Sequence, residues 1–147
     1  MKRRLLGCSV AVVILIVALP IPFETVDVPE WKVRVIDQND EPLSGATIRE
    51  HWKNYSLDLK PGENGDERQT DSNGYVVFPE RRTSASLLRR IVNTLVSGAM
   101  VIAHGSAGIY AEMMVVGDTS ENSIKQWRPG RPLPTEIVVP RASYRSD

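Results

Sequence analysis

W-K-V-R-V-I-D-Q-N-D-E-P-L-S-G-A-T-I-R-E-H-W runs from Trp31 to Trp52, and T-D-S-N-G-Y-V-V-F-P follows from Thr70 to Pro79. Trp31, Val33, Val35 and Asp37 alternate with Lys32, Arg34 and Ile36. A period of two is the signature of a strand with one buried face. Asn39-Asp40-Glu41-Pro42 is turn chemistry, because proline presets φ and short polar side chains bond nearby backbone. Gly45 stands where the chain needs a conformation costly to other residues. Ala46–Trp52 reads as a second strand, with Ala46, Ile48, Glu50 and Trp52 on one face. Glu50 breaks that apolar face and points to a strand end or an edge. In Thr70–Gly74, Asp71 can accept from backbone N–H groups across a tight turn, and Gly74 or Asn73 can take positive φ. Tyr75–Phe78 is the strand launched by that turn. The sum is the opening half of a small β-sandwich.

Outward from this stretch, the chain changes character on both sides. Met1–Phe23 begins with Lys2, Arg3 and Arg4, and no charge occurs from Leu5 to Phe23. Pro20 and Pro22 end any helix there. The segment is expected to be a membrane anchor, with the bilayer as partner of Leu5 to Phe23 and the domain outside, because cations precede the span. A cleaved signal peptide is the alternative. Its best site, after Ala18, puts Ile16 three residues before the cut and Pro20 two after it, where small, proline-free sequence is preferred. Leu5-Leu6-Gly7-Cys8 imitates a lipoprotein box, but the apolar run follows the cysteine instead of preceding it.

Residues 24–30 read as a short acidic linker, 31–141 as one β-sandwich domain and 142–147 as a polar tail. Asn54–Gln69 is expected to be a long polar loop, with Pro61-Gly62 and Asn64-Gly65 inside it. Leu87, Leu88, Ile91 and Leu95 recur at helical spacing and predict one inserted helix over Arg81–Val96. Thr83 or Ser84 would cap it and Gly98 would end it. Its apolar face is expected to cover the sheet. Ala99–His104 and Ile109–Val116 read as a hairpin of buried strands, Asp118–Gln126 as a polar loop, and Thr135–Pro140 as a last strand. Pro129, Pro132 and Pro134 make a stiff extended connection before it. The predicted class is mainly β, with that helix and an N-terminal hydrophobic one.

Composition narrows function. Charged residues at 24% and hydrophobic ones at 41% describe a globular domain. Without Lys2, Arg3 and Arg4, 15 basic residues face 18 acidic ones, so no basic footprint for nucleic acid exists. Cys8 is the single cysteine, which excludes an intrachain disulfide.

Val33-Arg34-Val35-Ile36-Asp37, Pro42-Leu43-Ser44-Gly45-Ala46 and Thr70-Asp71-Ser72-Asn73-Gly74-Tyr75, in that order, resemble the carboxypeptidase regulatory-like domain, one of the transthyretin-like (prealbumin-like) sandwiches. Asp40-Glu41 stands where that family often has Asp-Gly. The match covers about a third of the chain, and its later half resembles an insertion peculiar to a group of bacterial envelope proteins. The resemblance implies roughly seven strands in two sheets, and a folding or interaction module without chemistry of its own. Fold alone does not transfer function.

A related sandwich is the hydroxyisourate hydrolase, whose pattern has a histidine on the first strand and a C-terminal Tyr-Arg-Gly-Ser. Here Arg34 holds the histidine position, and the chain ends Ser143-Tyr144-Arg145-Ser146-Asp147, without that glycine. A general base is thus missing. His51 and His104 are the only histidines, and catalytic zinc needs three protein ligands. Asp66, Asp71 and Asn73 lack the regular spacing of a calcium cage. Gly105-Ser106-Ala107-Gly108 is one residue short of a nucleophile elbow. No catalytic residue, metal or cofactor is assigned. Arg81, Arg82, Arg89 and Arg90 form a cationic band on the expected helix, suited to anionic headgroups or an acidic envelope partner. Trp31, Trp52, Tyr55, Tyr75, Tyr110, Trp127 and Tyr144 include candidates for a sugar-stacking platform. The expected function is a non-catalytic, membrane-anchored extracytoplasmic interaction or structural module; the alternatives are a small hydrolase and a carbohydrate-binding module.

Overall fold

The computed structural model describes residues 19–58, 62–104, 108–118, 120 and 123–140. Those residues form nine strands and one helix. The strands are β1 (Pro22–Val28), β2 (Trp31–Asp37), β3 (Thr47–Asn54), β4 (Asn64–Gln69), β5 (Tyr75–Phe78), β6 (Arg81–Ser86), β7 (Ile109–Val115), β8 (Ile124–Trp127) and β9 (Glu136–Val139). The helix α1 (Leu87–His104) lies between β6 and β7.

Seven strands make two sheets, ordered β5-β2-β9 and β4-β3-β7-β8; β1 and β6 form a separate antiparallel ribbon. β2 runs antiparallel to β5 but parallel to β9, with Val35 opposite Ile137. The alternation seen in the sequence faces one sheet toward the other. Trp31, Val33 and Val35 of β2, Phe78 of β5 and Ile137 and Val139 of β9 share a core with Ile48 of β3, Ala111, Met113 and Val115 of β7 and Trp127 of β8. The fold is mainly β, as the patterning predicts, with the seven strands packed as two layers.

The three quoted motifs interlock. Asp37 Oδ1 accepts from the N–H groups of Asn39 (2.7 Å) and Glu41 (3.0 Å), and Asp40 takes a φ of 62°, which aspartate tolerates better than most residues. Thr70 Oγ1 accepts from Ala46 N–H at 2.9 Å and donates to the Leu43 carbonyl at 2.6 Å, so it clamps both ends of the Pro42–Ala46 step. Gly45 within that step has φ 74°. Asp71 Oδ1 accepts from Asn73 N–H (2.8 Å) and Tyr75 N–H (2.9 Å). Of the two residues able to take positive φ there, Gly74 does so, at 77°. A Cβ on Gly74 would stand 2.5 Å from the Val35 carbonyl oxygen, so only glycine lets this turn close on β2.

Five sequence expectations are corrected. Residues 24–30 are not a linker, because most of them belong to β1, which pairs with β6. The expected loop Asn54–Gln69 contains β4, a strand with no apolar side chain held by pairing to β3. The expected loop Asp118–Gln126 runs into β8, which pairs with β7. The expected helix start at Arg81 is strand β6, and the cap is Ser86, whose Oγ accepts from Arg89 N–H at 3.3 Å, in place of Thr83 or Ser84. Finally, α1 does not stop at Gly98: it continues to His104, so Ala99–His104 is helix and the expected hairpin does not form. Nothing packs within 4 Å of where a Gly98 Cβ would be, and one exposed glycine weakens a helix by only about 1 kcal/mol.

Candidate functional site

Glu50 sits in the middle of β3, paired on one side with β4 and on the other with β7, and it is fully buried. It is thus neither at a strand end nor on an edge strand. It occupies the buried face, two positions from Ile48, because a cation reaches it. Arg81 of β6 donates from Nε (3.0 Å) and Nη2 (2.6 Å) to Glu50 Oε2, and from Nη2 to Asp66 Oδ2 of β4 at 2.7 Å. Its guanidinium lies 4.2 Å from the centroid of the Trp52 ring. Arg68 adds a 3.2 Å contact to Asp66. This cluster joins the β1–β6 ribbon to the four-stranded sheet. Burial pushes the Glu50 carboxyl above its ordinary value, and Arg81 offsets part of that rise. The Arg81 hydrogen bond holds Asp66 below its ordinary value.

Beside the cluster, an open cleft of about 390 Å³ is lined by Asp27, Trp52, Asn54, Asp58, Asn64, Arg82, Thr83 and Arg89, among others. Asp27 is buried, and both its oxygens are engaged: Oδ1 accepts from Asn54 Nδ2 at 2.9 Å and Oδ2 accepts from the Thr83 hydroxyl. Asn64 Nδ2 donates to Asp58 at 3.3 Å. The cleft can hold a small polar ligand by hydrogen bonds and by the uncovered part of Trp52. Its acidic groups, Asp27 and Asp58, both accept hydrogen bonds from neighbouring side chains.

The four arginines do not form one band on a helix. Arg81 and Arg82 are strand residues, and Arg82 pairs with Glu80 at 2.6 Å and Glu24 at 3.6 Å. Arg89 and Arg90 are in α1 but reach back to the ribbon and its neighbouring loop. Arg89 donates to the Leu57 carbonyl at 3.3 Å. Arg90 donates to Thr25 Oγ1 and the Phe23 carbonyl, each at 3.0 Å, and covers the Phe23 ring at 4.4 Å.

The same side of α1 is polar further along. Asn93 Nδ2 donates to Leu57 O at 3.3 Å, and Ser97 Oγ donates to Tyr55 O at 2.6 Å; both residues are buried. The apolar side therefore faces away from the sandwich, opposite to expectation. Leu88 is 50% exposed, Ile91 47%, Val92 47%, Leu95 71% and Val96 45%. The helical period showed that α1 has two unlike faces. It gave no sign of which face would meet the protein.

Other candidates separate. His51 lies on β3 with Nδ1 3.9 Å from Glu63 Oε2, while His104 ends α1. Among the described residues, no group of three His, Cys, Asp or Glu side chains is placed to hold a metal. Trp31 and Trp127 are buried in the core, so of the three tryptophans only Trp52 reaches the cleft. Residues 1–18, Ser106 and the tail from Ser143 lie outside the described residues, as does most of the expected anchor. Among the described residues, no helix is long and apolar enough to cross a membrane.

A carboxylate alternating with Ile48 on a buried face was the signal for the ion cluster, since a buried charge requires a partner. Nothing in the sequence pointed to Arg81 as that partner.

No family model matches the chain, and no curated protein matches it. Among solved structures, 3-chlorocatechol 1,2-dioxygenase from Rhodococcus opacus 1CP aligns over 70% of this chain at 16% identity and a TM-score of 0.41. This chain spans 44% of that protein's length, and a likeness at this level establishes neither shared activity nor shared family.

Proposed function

We propose that this protein is a membrane-tethered, non-catalytic β-sandwich that works outside the cytoplasm as an interaction or structural module of the cell envelope. The observation that carries this reading is the engagement of the charged groups around the cleft. Arg81 holds Glu50 and Asp66, and Asn54 and Thr83 hold Asp27, so these carboxylates fix the ribbon on the sandwich. A carboxylate held in this way by a neighbouring cation or hydrogen-bond donor is poorly placed to take a proton from a substrate. The uncharged run from Leu5 to Phe23 supports the tether. The interlocked Pro42–Ala46 and Thr70–Gly74 segments support assignment to the carboxypeptidase regulatory-like sandwiches. A second reading rests on Trp52: with Asp58 and Asn64 beside it in the cleft, it suits a sugar ring and its hydroxyls.

The test is fractionation of cells expressing the full chain, followed by alkaline carbonate extraction. The protein is expected in the membrane pellet after extraction. Release into the supernatant removes the tether, and turnover of hydroxyisourate by the purified chain removes the non-catalytic reading.

A further inference from the structure

We propose that the outward face of α1 lies in the boundary between headgroups and acyl chains of the bilayer, as a second membrane contact beside the tether. The inference rests on the tethered reading above and adds the orientation of the domain. Leu88, Ile91, Val92, Leu95 and Val96 form one aliphatic stripe, and Leu95 at 71% is the most exposed of them. A contiguous patch of this kind on a folded domain marks a contact surface. The stripe cannot turn inward, because Arg90, Asn93 and Ser97 fix the opposite face to Phe23, Leu57 and Tyr55.

The bilayer is the occupant because of where the chain enters. The amide of Leu88 donates to the carbonyl of Leu19 at 3.1 Å, so the uncharged N-terminal run passes within one hydrogen bond of the start of α1. At that same end, Ile21 just before β1 is 58% exposed and Phe23 within β1 is 45% exposed, extending the apolar surface toward the tether. Charge agrees. α1 has no acidic residue in its first turn, and no Asp or Glu occurs from Arg81 to Ala111. Arg89, exposed in the first turn, stands between the stripe and the inward face, where it also donates to the Leu57 carbonyl. A helix with an aliphatic face and basic flank lies in the plane of an anionic interface.

The test uses the full chain in a Cys8→Ser background, reconstituted into vesicles of phosphatidylcholine and phosphatidylglycerol. Single cysteines replace Leu95 in α1, Ser72 in the sandwich turn or Val12 in the N-terminal run, each carrying an environment-sensitive nitrobenzoxadiazole label. Lipids spin-labelled near the headgroup are expected to quench the position-95 label by about twofold or more and to leave the position-72 label unchanged. Quenching at position 12 by lipids spin-labelled deep in the acyl chain, without quenching at position 95 by the headgroup-labelled lipids, overturns this inference and leaves the tether intact. Loss of quenching at position 12 overturns the tether itself. A position-95 label shielded from aqueous iodide but untouched by the spin-labelled lipids also overturns the inference, since another protein surface then covers the stripe.

Discussion

Arg81→Ala is expected to lower the free energy of unfolding by about 3–5 kcal/mol at neutral pH, read from denaturant unfolding of the full chain in mild detergent. The size follows from what is left behind. Glu50 is fully buried, and Arg81 supplies the two hydrogen bonds to its Oε2. Its other oxygen, Oε1, is buried with no hydrogen bond among the described residues. Without Arg81 the carboxyl group is dry and without its cation, and must either carry an uncompensated charge or take up a proton. Replacing Glu50 and Arg81 together by leucine is expected to cost far less, because no buried charge remains.

The deficit also carries a pH signature. In Arg81→Ala, the folded Glu50 carboxyl loses its cation and rises further above its ordinary value of 4.5, while the unfolded chain keeps that ordinary value. Between the two, the unfolded form has released a proton that the folded form still holds. Stability therefore falls as pH rises through that window. Asp66 adds to this. In the wild type, Arg81 depresses its folded value below the ordinary 3.8, which gives stability present above 3.8 and lost as pH falls toward the folded value. The variant forfeits that gain. The Arg81→Ala deficit is thus expected to be smallest in acid and largest at neutral pH, and a small, pH-independent deficit would contradict the cluster.

Trp31→Ala is expected to cost a similar amount, about 3–5 kcal/mol. Trp31 begins β2 and is completely buried, and its indole N–H donates to the Pro134 carbonyl at 2.6 Å. It therefore fills the core and also fastens the proline-rich approach to β9, whose Thr135 carbonyl accepts from Arg34 N–H at 2.9 Å. Trp31→Phe keeps most of the apolar contact and loses the hydrogen bond. It should fall between wild type and alanine in the same denaturation measurement. Equal stability of alanine and wild type would mean that Trp31 does not organise this core.

Strands with one apolar face were readable because their alternation is written in side chains. β2, β5 and β9 are of this kind. β4 is not: Asn64-Gly65-Asp66-Glu67-Arg68-Gln69 has no apolar position, and it is a strand only because the edge of β3 offers backbone partners. β1 was hidden by its flanking prolines and its acidic residues, and its partner β6 lies more than fifty residues away. Hydrogen bonding between distant segments leaves no local pattern. The ion cluster was half legible. Glu50 stood out on its apolar face but read as a strand end or an edge, where the structure has a buried charge, and Arg81 comes from a segment that periodicity placed in a helix. α1 shows the sharpest limit. Its amphipathic character was plain, yet three polar contacts, from Arg90, Asn93 and Ser97, decide its orientation.

The most direct measurement of the central claim is labelling from outside. In spheroplasts, Ser72→Cys in a Cys8→Ser chain places one thiol at an exposed position of the Asp71–Gly74 turn. A membrane-impermeant maleimide is expected to label it fully before lysis. Labelling that appears only after the membrane is broken would put the sandwich on the cytoplasmic side and contradict the account.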